Sequence, residues 1–327
     1  MPSFKVALIG AGRIGKIHAA NAIAHPELIL SHVVDPIPAA AAIAERAGAR
    51  VGDLDEVLAD AAVDGVIIAS STDTHLDYCL RAHAAGKAIF CEKPLDMRLD
   101  RLTQAAEALA GARLFVGFNR RFDPNFAALQ RRLAAGEVGA LETLQITSND
   151  PGPPPIDYVK VSGGLFKDMA IHDFDMARWL LGEEPAEVFA WGACLVDPAI
   201  GAAGDIDTAR TLLKTASGRL CVIANSRRSG FGYDQRIEAY GAGGRLAAGN
   251  VTETTVQVWS EAGARGDRFQ NFFLDRYAQA YAAEMAHFAD ILAGRAAPSV
   301  TFADGLAALA LAEAAARSLR TGRPAGV

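Results

Sequence analysis

The feature that most constrains this chain is Gly10-Ala11-Gly12-Arg13-Ile14-Gly15, set between an apolar run, Val6-Ala7-Leu8-Ile9, and a helix-period stretch, Ile14–Ala24. A Gly-x-Gly-x-x-Gly pattern is weak by itself. At a strand-to-helix turn each glycine acquires a physical task. Gly10 permits the tight turn, Gly12 lets a pyrophosphate approach the backbone, and Gly15 lets helix and strand pack closely. The helix start, with Arg13 and Ile14, then offers oriented N–H groups and positive potential to phosphate. These five residues are candidates for holding a dinucleotide.

Around that loop the first third of the chain alternates β-branched runs with alanine-rich helical stretches. Candidate strands are Lys5–Ile9, Leu28–Val34, Val63–Ala69, Ala88–Cys91 and Leu114–Phe118; candidate helices are Ile14–Ala24, Ala39–Ala47, Asp73–Ala85 and Asp100–Ala110. This rhythm predicts an α/β domain of the Rossmann type over residues 1–121, a parallel sheet with helices on both faces. Asp35 ends the second strand about twenty residues past Gly15, where an acid accepts hydrogen bonds from the adenosine ribose. A 2′-phosphate would meet that carboxylate, and Pro36-Ile37-Pro38 offers no compensating arginine. The expected cofactor is NAD.

The rhythm changes near residue 120. Phe122–Ala135 reads as a helix and Leu141–Ser148 as a strand, followed by the proline-rich Asn149–Pro155, which helix cannot tolerate. One helix is predicted from Gly163-Gly164 through Leu181. From Glu187 to Ser260 strands alternate with turns, Ser217-Gly218 and Gly241–Gly244 among them. Helices over about Phe272–Ala293 and Phe302–Leu319 close the chain. Residues 122–327 are expected to form an α+β domain on a large, mostly antiparallel open sheet.

A net charge of −6 argues against a nucleic-acid partner. Cys79, Cys91, Cys194 and Cys221 are scattered, without a disulfide or zinc spacing. Strand β-branching begins almost at Met1, leaving no room for a signal peptide, and no apolar stretch reaches membrane length. A cytoplasmic protein without a membrane partner is expected.

The chemistry-bearing residues follow strand ends, the ligand edge of an open parallel sheet. Ser70, Ser71, Thr72 and His75 follow one strand and should flank the nicotinamide ribose. A helix cap serves equally well for Asp73 and Thr74, and His75 reads either as a cofactor neighbour or as a first-turn residue. Glu92-Lys93-Pro94 follows another strand, with the lysine fixed ahead of a proline. On the predicted helix, Phe166, Ala170, Phe174, Ala177 and Leu181 form an apolar stripe, and Asp168, His172 and Asp175 fall opposite it. Oxidising a secondary alcohol needs a base near neutral pH, an orienting carboxylate and a cation for developing alkoxide charge. His172, Asp168 and Lys93 supply these. No cysteine or second histidine completes a metal site.

These segments, with Gly117–Asp123, resemble the glucose–fructose oxidoreductase/inositol dehydrogenase/rhizopine-catabolism (Gfo/Idh/MocA) family nearly end to end. The resemblance implies a catalytic set of Lys93, Asp168 and His172, a cis Lys93–Pro94 bond, and cofactor contacts that include Glu92, Lys93 and Arg120. It implies a polyol pocket lined by Lys93, Arg120, Asn149, Asp150, Asp168, His172 and Tyr233, and a homo-tetramer formed through the second domain's sheet. The implied reaction is NAD-dependent oxidation of a ring hydroxyl of a cyclic polyol, with myo-inositol first. Asn149 departs from the family's pattern, where arginine is expected. Another inositol isomer or an aldose, and a non-catalytic sugar or dinucleotide sensor, are the competing readings.

Overall fold

The computed structural model describes residues 3–327. They form two compact units. The first gathers the chain through Phe122 together with Ala280–Leu309, and the second gathers Asp123–Gln279 with Ala310–Val327. A boundary after residue 121 leaves Ala280–Leu309 with the second domain, whereas the fold packs these residues with the first.

The first unit is built on six strands: β1 (Phe4–Ile9), β2 (Leu28–Val34), β3 (Arg50–Val51), β4 (Gly65–Ile68), β5 (Ala88–Glu92) and β6 (Leu114–Gly117). Their order is β3-β2-β1-β4-β5-β6, and every pairing is parallel. Strands covered on both faces need apolar residues at every position rather than alternate ones. Accordingly β4 reads Gly-Val-Ile-Ile and is buried throughout, as are Leu114–Gly117. Fully burying each Val, Ile or Phe is worth about 1.5–3 kcal/mol, which makes this sheet the stable floor for the site. The order reverses direction between β1 and β4, so the crevice at their carboxyl ends is where a ligand belongs.

The second unit carries β7 (Leu141–Asn149), β8 (Pro185–Ala193), β9 (Thr208–Thr215), β10 (Leu220–Ser226), β11 (Asp234–Gly241) and β12 (Gly244–Ala248). A separate hairpin follows, β13 (Gln257–Ser260) with β14 (Gly263–Gly266), and β15 (Ala325–Gly326) completes the main sheet. The main order is β12-β11-β7-β10-β9-β8-β15. Neighbours run antiparallel except β7 and β10, which pair parallel from Leu220↔Thr143 to Ser226↔Asn149. Alternation along β9 and β10 buries Ala209, Thr211, Leu213, Cys221, Ile223 and Asn225 on one face. Ser217-Gly218 and Gly241–Gly244 make the expected turns.

Two helices depart from expectation. The single helix predicted from Gly163 to Leu181 is two, Gly164–Asp168 and Ile171–Leu181. Both Met169 and Ala170 donate their backbone N–H to the Leu165 carbonyl, at 3.1 and 2.9 Å. The second of these spans a wider turn than an α-helix and interrupts the regular bonding between the two. Asp175, expected on the outward face, is buried, 3.9 Å from Arg178, on a second helix that is buried on nearly every side. The stripe Phe166, Ala170, Phe174, Ala177 and Leu181 is buried as expected. Near the end of the chain, Phe273–Arg276 and Ala278–Leu292 replace one predicted helix. Among the described residues no helix is long and apolar enough to cross a membrane.

Candidate active site

At the mouth of β1, Gly10 has φ of +100°, and a Cβ there would stand 2.4 Å from the Ser70 nitrogen. A Cβ on Gly15 would stand 2.0 Å from the Gly10 carbonyl oxygen. Only glycine lets strand, loop and helix close together at these two positions. Gly12 differs, since a Cβ there would meet nothing within 4 Å. Space therefore lies over the start of helix Arg13–Ala24, which has neither a side-chain cap nor an acidic residue in its first turn. Its N–H groups are open to an anion. Asp35 accepts from Ala11 N (2.6 Å) on one oxygen and from Ile37 N (2.9 Å) on the other. These bonds fix the carboxylate and leave each oxygen a lone pair for a ribose hydroxyl. The residues fit NAD.

The same carboxyl edge carries the remaining first-unit candidates. Ser70 Oγ meets Thr74 Oγ1 at 2.7 Å, and Thr74 donates to the Ser71 carbonyl at 2.8 Å, around the start of helix Thr72–Ala84. His75 is buried, with Nδ1 2.8 Å from the Pro94 carbonyl and Nε2 3.1 Å from the Ser70 carbonyl. These contacts strap the helix to the Lys93–Pro94 turn. The Lys93–Pro94 bond is cis, as expected. Lys93 is half-buried directly beyond β5, and Arg120 is buried in the 3-10 turn Asn119–Phe122 that follows the neighbouring strand β6. Glu92 Oε1 lies 2.6 Å from His18 Nε2.

Behind Glu92 sits an acid that sequence reasoning missed. Glu284 is fully buried on helix Ala278–Leu292, and neither carboxyl oxygen has a hydrogen-bond partner. Tyr281 and Phe288, on the same helix face, meet His18 and Phe90. Burial first, and then the Glu92 charge, push the Glu284 carboxyl well above the usual carboxylate range. An acid that keeps its proton when folded and loses it when unfolded costs stability as pH rises from its unfolded pKa of about 4.3 toward the raised folded one. Glu284→Gln cannot ionise. Its melting temperature relative to the native protein is expected to rise between about pH 5 and pH 8. An equal difference at both values would mean that Glu284 is ionised in the fold.

In the second unit, the ends of β7 and β10 and the start of β11 are neighbours, with Asn149 paired to both Ser226 and Asp234. Asn149 Nδ2 donates to Asp234 Oδ2 at 3.2 Å, and its Oδ1 is buried without a hydrogen-bond partner. Asp234 also takes Asn250 Nδ2 (2.6 Å) and both Arg236 Nε (2.7 Å) and Nη2 (3.1 Å). Burial raises the Asp234 carboxyl, but these donors outweigh it and leave the pKa lowered. Asp150 follows directly, its N–H bonded to the Ser226 carbonyl (2.9 Å), and the buried Tyr233 precedes β11, edge-on to Tyr277.

Helix Ile171–Leu181 is tied to this sheet end by Asn225, which donates to Asp173 at 2.8 Å. His172 is half-buried on that helix, while Asp173, Phe174 and Asp175 are buried. Asp168 accepts from Tyr158 Oη (2.8 Å) and from Arg227 Nη2 (3.0 Å). Sequence reasoning missed both partners. The only local signal was an arginine at the end of an alternating strand, and Arg227 is indistinguishable there from the exposed Arg228 beside it. Asn149, Asp150, Asp168, His172 and Tyr233 thus all belong to one unit, and Lys93 and Arg120 to the other. Among the described residues no cluster of His, Cys, Asp or Glu forms a metal-ligand set.

Residues 4–118 match the family described as "Oxidoreductase family, NAD-binding Rossmann fold", and residues 126–247 match the "GFO/IDH/MocA C-terminal domain". The chain is 48% identical to the inositol 2-dehydrogenase of Rhizobium meliloti, over 95% of this chain and 96% of that one. It is 46% identical to the myo-inositol 2-dehydrogenase of Thermotoga maritima, over 98% and 97%. The crystal structure of a myo-inositol dehydrogenase from Corynebacterium glutamicum superposes with a TM-score of 0.95 at 44% identity, covering 99% of each chain.

Proposed function

The chain belongs to the GFO/IDH/MocA family of NAD-binding oxidoreductases, and we propose that it oxidises a ring hydroxyl of an inositol, with myo-inositol giving the 2-keto product. The observation that carries this reading is an intact Lys93, Asp168 and His172 in a chain matched along its length by inositol 2-dehydrogenases. NAD, when bound, supplies the hydride acceptor. His172 takes the hydroxyl proton, Asp168 holds the imidazole's orientation, and the Lys93 ammonium stabilises negative charge developing on the oxygen. Arg120, Asn149, Asp150 and Tyr233 hold the other hydroxyls. NADH formation from myo-inositol and NAD tests the proposal directly, and a protein that binds inositol without turning it over would favour a sensor.

The expected cofactor preference rests on Asp35. NAD should exceed NADP in kcat/KM by about tenfold or more, the worth of one repelled or unmatched charged contact. Asp35→Ser should narrow that gap. Equal turnover of the native protein with NADP would remove the assignment. A homo-tetramer in the cytoplasm completes the proposal. Trp191, Leu212, Leu220 and Val222 are exposed together on the open face of the second sheet, and all four cysteines are free thiols.

A further inference from the structure

We infer that Arg227 and Tyr158 are positioning residues that hold the Asp168 carboxylate from two sides and act on the reaction through it. The inference rests on the proposed catalytic role of Asp168. Asp168 ends the short helix Gly164–Asp168, and the chain leaves regular helix at Met169. A carboxylate at a helix break has no continuing turn to fix it. Its two oxygens are instead divided between donors from separate segments: Tyr158 Oη on Oδ1 at 2.8 Å, and Arg227 Nη2 on Oδ2 at 3.0 Å. Each oxygen keeps a lone pair, so both contacts leave the carboxylate able to serve His172.

Arg227 is 2% exposed, and an arginine guanidinium is a permanent cation. A buried permanent cation is costly unless it is paired. Its paired acids are Asp168, and Asp205 at 3.9 Å. Asp205 in turn accepts the Leu165 N–H at 3.1 Å, in the first turn of the Asp168 helix. The Arg227 backbone N–H is anchored to the Asp207 carbonyl at 2.8 Å, just beyond the end of β10. One arginine, fixed at its own backbone, therefore reaches the last residue of the helix and, through Asp205, its first turn. Tyr158, about half exposed on helix Ile156–Val159, supplies the second hold from the far side.

A double-mutant cycle separates positioning from a general structural role. The proteins are Arg227→Lys, Tyr158→Phe, Asp168→Asn and the two corresponding doubles, each confirmed to bind NAD. Lysine keeps the charge and loses the rigid guanidinium whose Nη2 lies between Asp168 and Asp205. Arg227→Lys is expected to lower kcat by about tenfold with KM for NAD unchanged, and to add no further loss in the Asp168→Asn background. Tyr158→Phe, at a surface position that does not threaten folding, is expected to lower kcat several-fold on the same pattern. Native kcat in both single variants, or the same losses recurring in full in the Asp168→Asn background, would overturn the inference. Near-native kcat in Asp168→Asn itself would instead overturn the catalytic assignment on which it stands.

Discussion

His172→Ala and Lys93→Met should each lower kcat by about a hundredfold or more while NAD affinity stays nearly unchanged. The split between the two constants is the informative part. Neither substitution touches the proposed nucleotide-holding features, Gly10, Gly12, Gly15, the start of helix Arg13–Ala24 and the Asp35 carboxylate held by Ala11 and Ile37. In the proposed mechanism, removing His172 deletes the proton acceptor, and removing Lys93 takes a positive charge away from beside the oxygen where negative charge develops. Asp168→Asn should also lose most activity, because an amide holds the imidazole less well and pairs poorly with Arg227. Steady-state kinetics beside direct NAD titration measure both constants. A near-native rate at neutral pH in His172→Ala would show that another group takes the proton.

How much of this was legible from residues alone follows the range of the forces involved. The glycine loop, Asp35, the parallel strands and the two hairpin turns are local, each written in a few adjacent residues, and they stand where the pattern put them. β3 is two residues long and helix Leu54–Ala59 six, too short to give a period, and neither was foreseen. The parallel pairing of β7 with β10 depends on strands far apart in sequence, as does the return of Ala280–Leu309 to the first unit.

The break at Met169–Ala170 was hidden for a different reason. The apolar stripe from Phe166 to Leu181 runs straight through it, so periodicity reads one helix where backbone bonding makes two. Asp175 is buried because the second helix is covered on nearly every side, which a single apolar stripe does not announce. The helix carrying His172 and the ligand edge carrying Lys93 were readable, whereas Tyr158, Arg227 and Glu284 were not. Their roles consist of contacts with distant segments, and a lone Tyr, Arg or Glu gives no sign of burial.

Among a panel of cyclitols and aldoses, myo-inositol is expected to show the highest kcat/KM, exceeding glucose by about a hundredfold or more. A cyclitol presents hydroxyls all round a rigid ring, so its site needs fixed polar groups rather than an apolar wall. In the proposed site, the second unit supplies them at one sheet end. Asn149 is held through its nitrogen by Asp234, which leaves its buried Oδ1 as an acceptor aimed by a bonded amide rather than a swinging one. Asp234 is itself locked by Arg236 and Asn250, so the Asn149 anchor does not move to suit a ligand. Asp150 follows Asn149 in the chain, and the buried Tyr233 precedes its partner Asp234. An analogue that fails to match such groups leaves them desolvated and unpaired, and that penalty falls on the transition state as well as on binding. Asn149→Ala should therefore erode discrimination among inositol isomers more than it erodes turnover of the best one. A different isomer leading the panel would keep the polyol class and move the hydroxyl assignment. An aldose outrunning every inositol isomer would overturn the substrate while leaving Lys93, Asp168 and His172 in their roles, since the proton and charge they handle are those of any secondary alcohol.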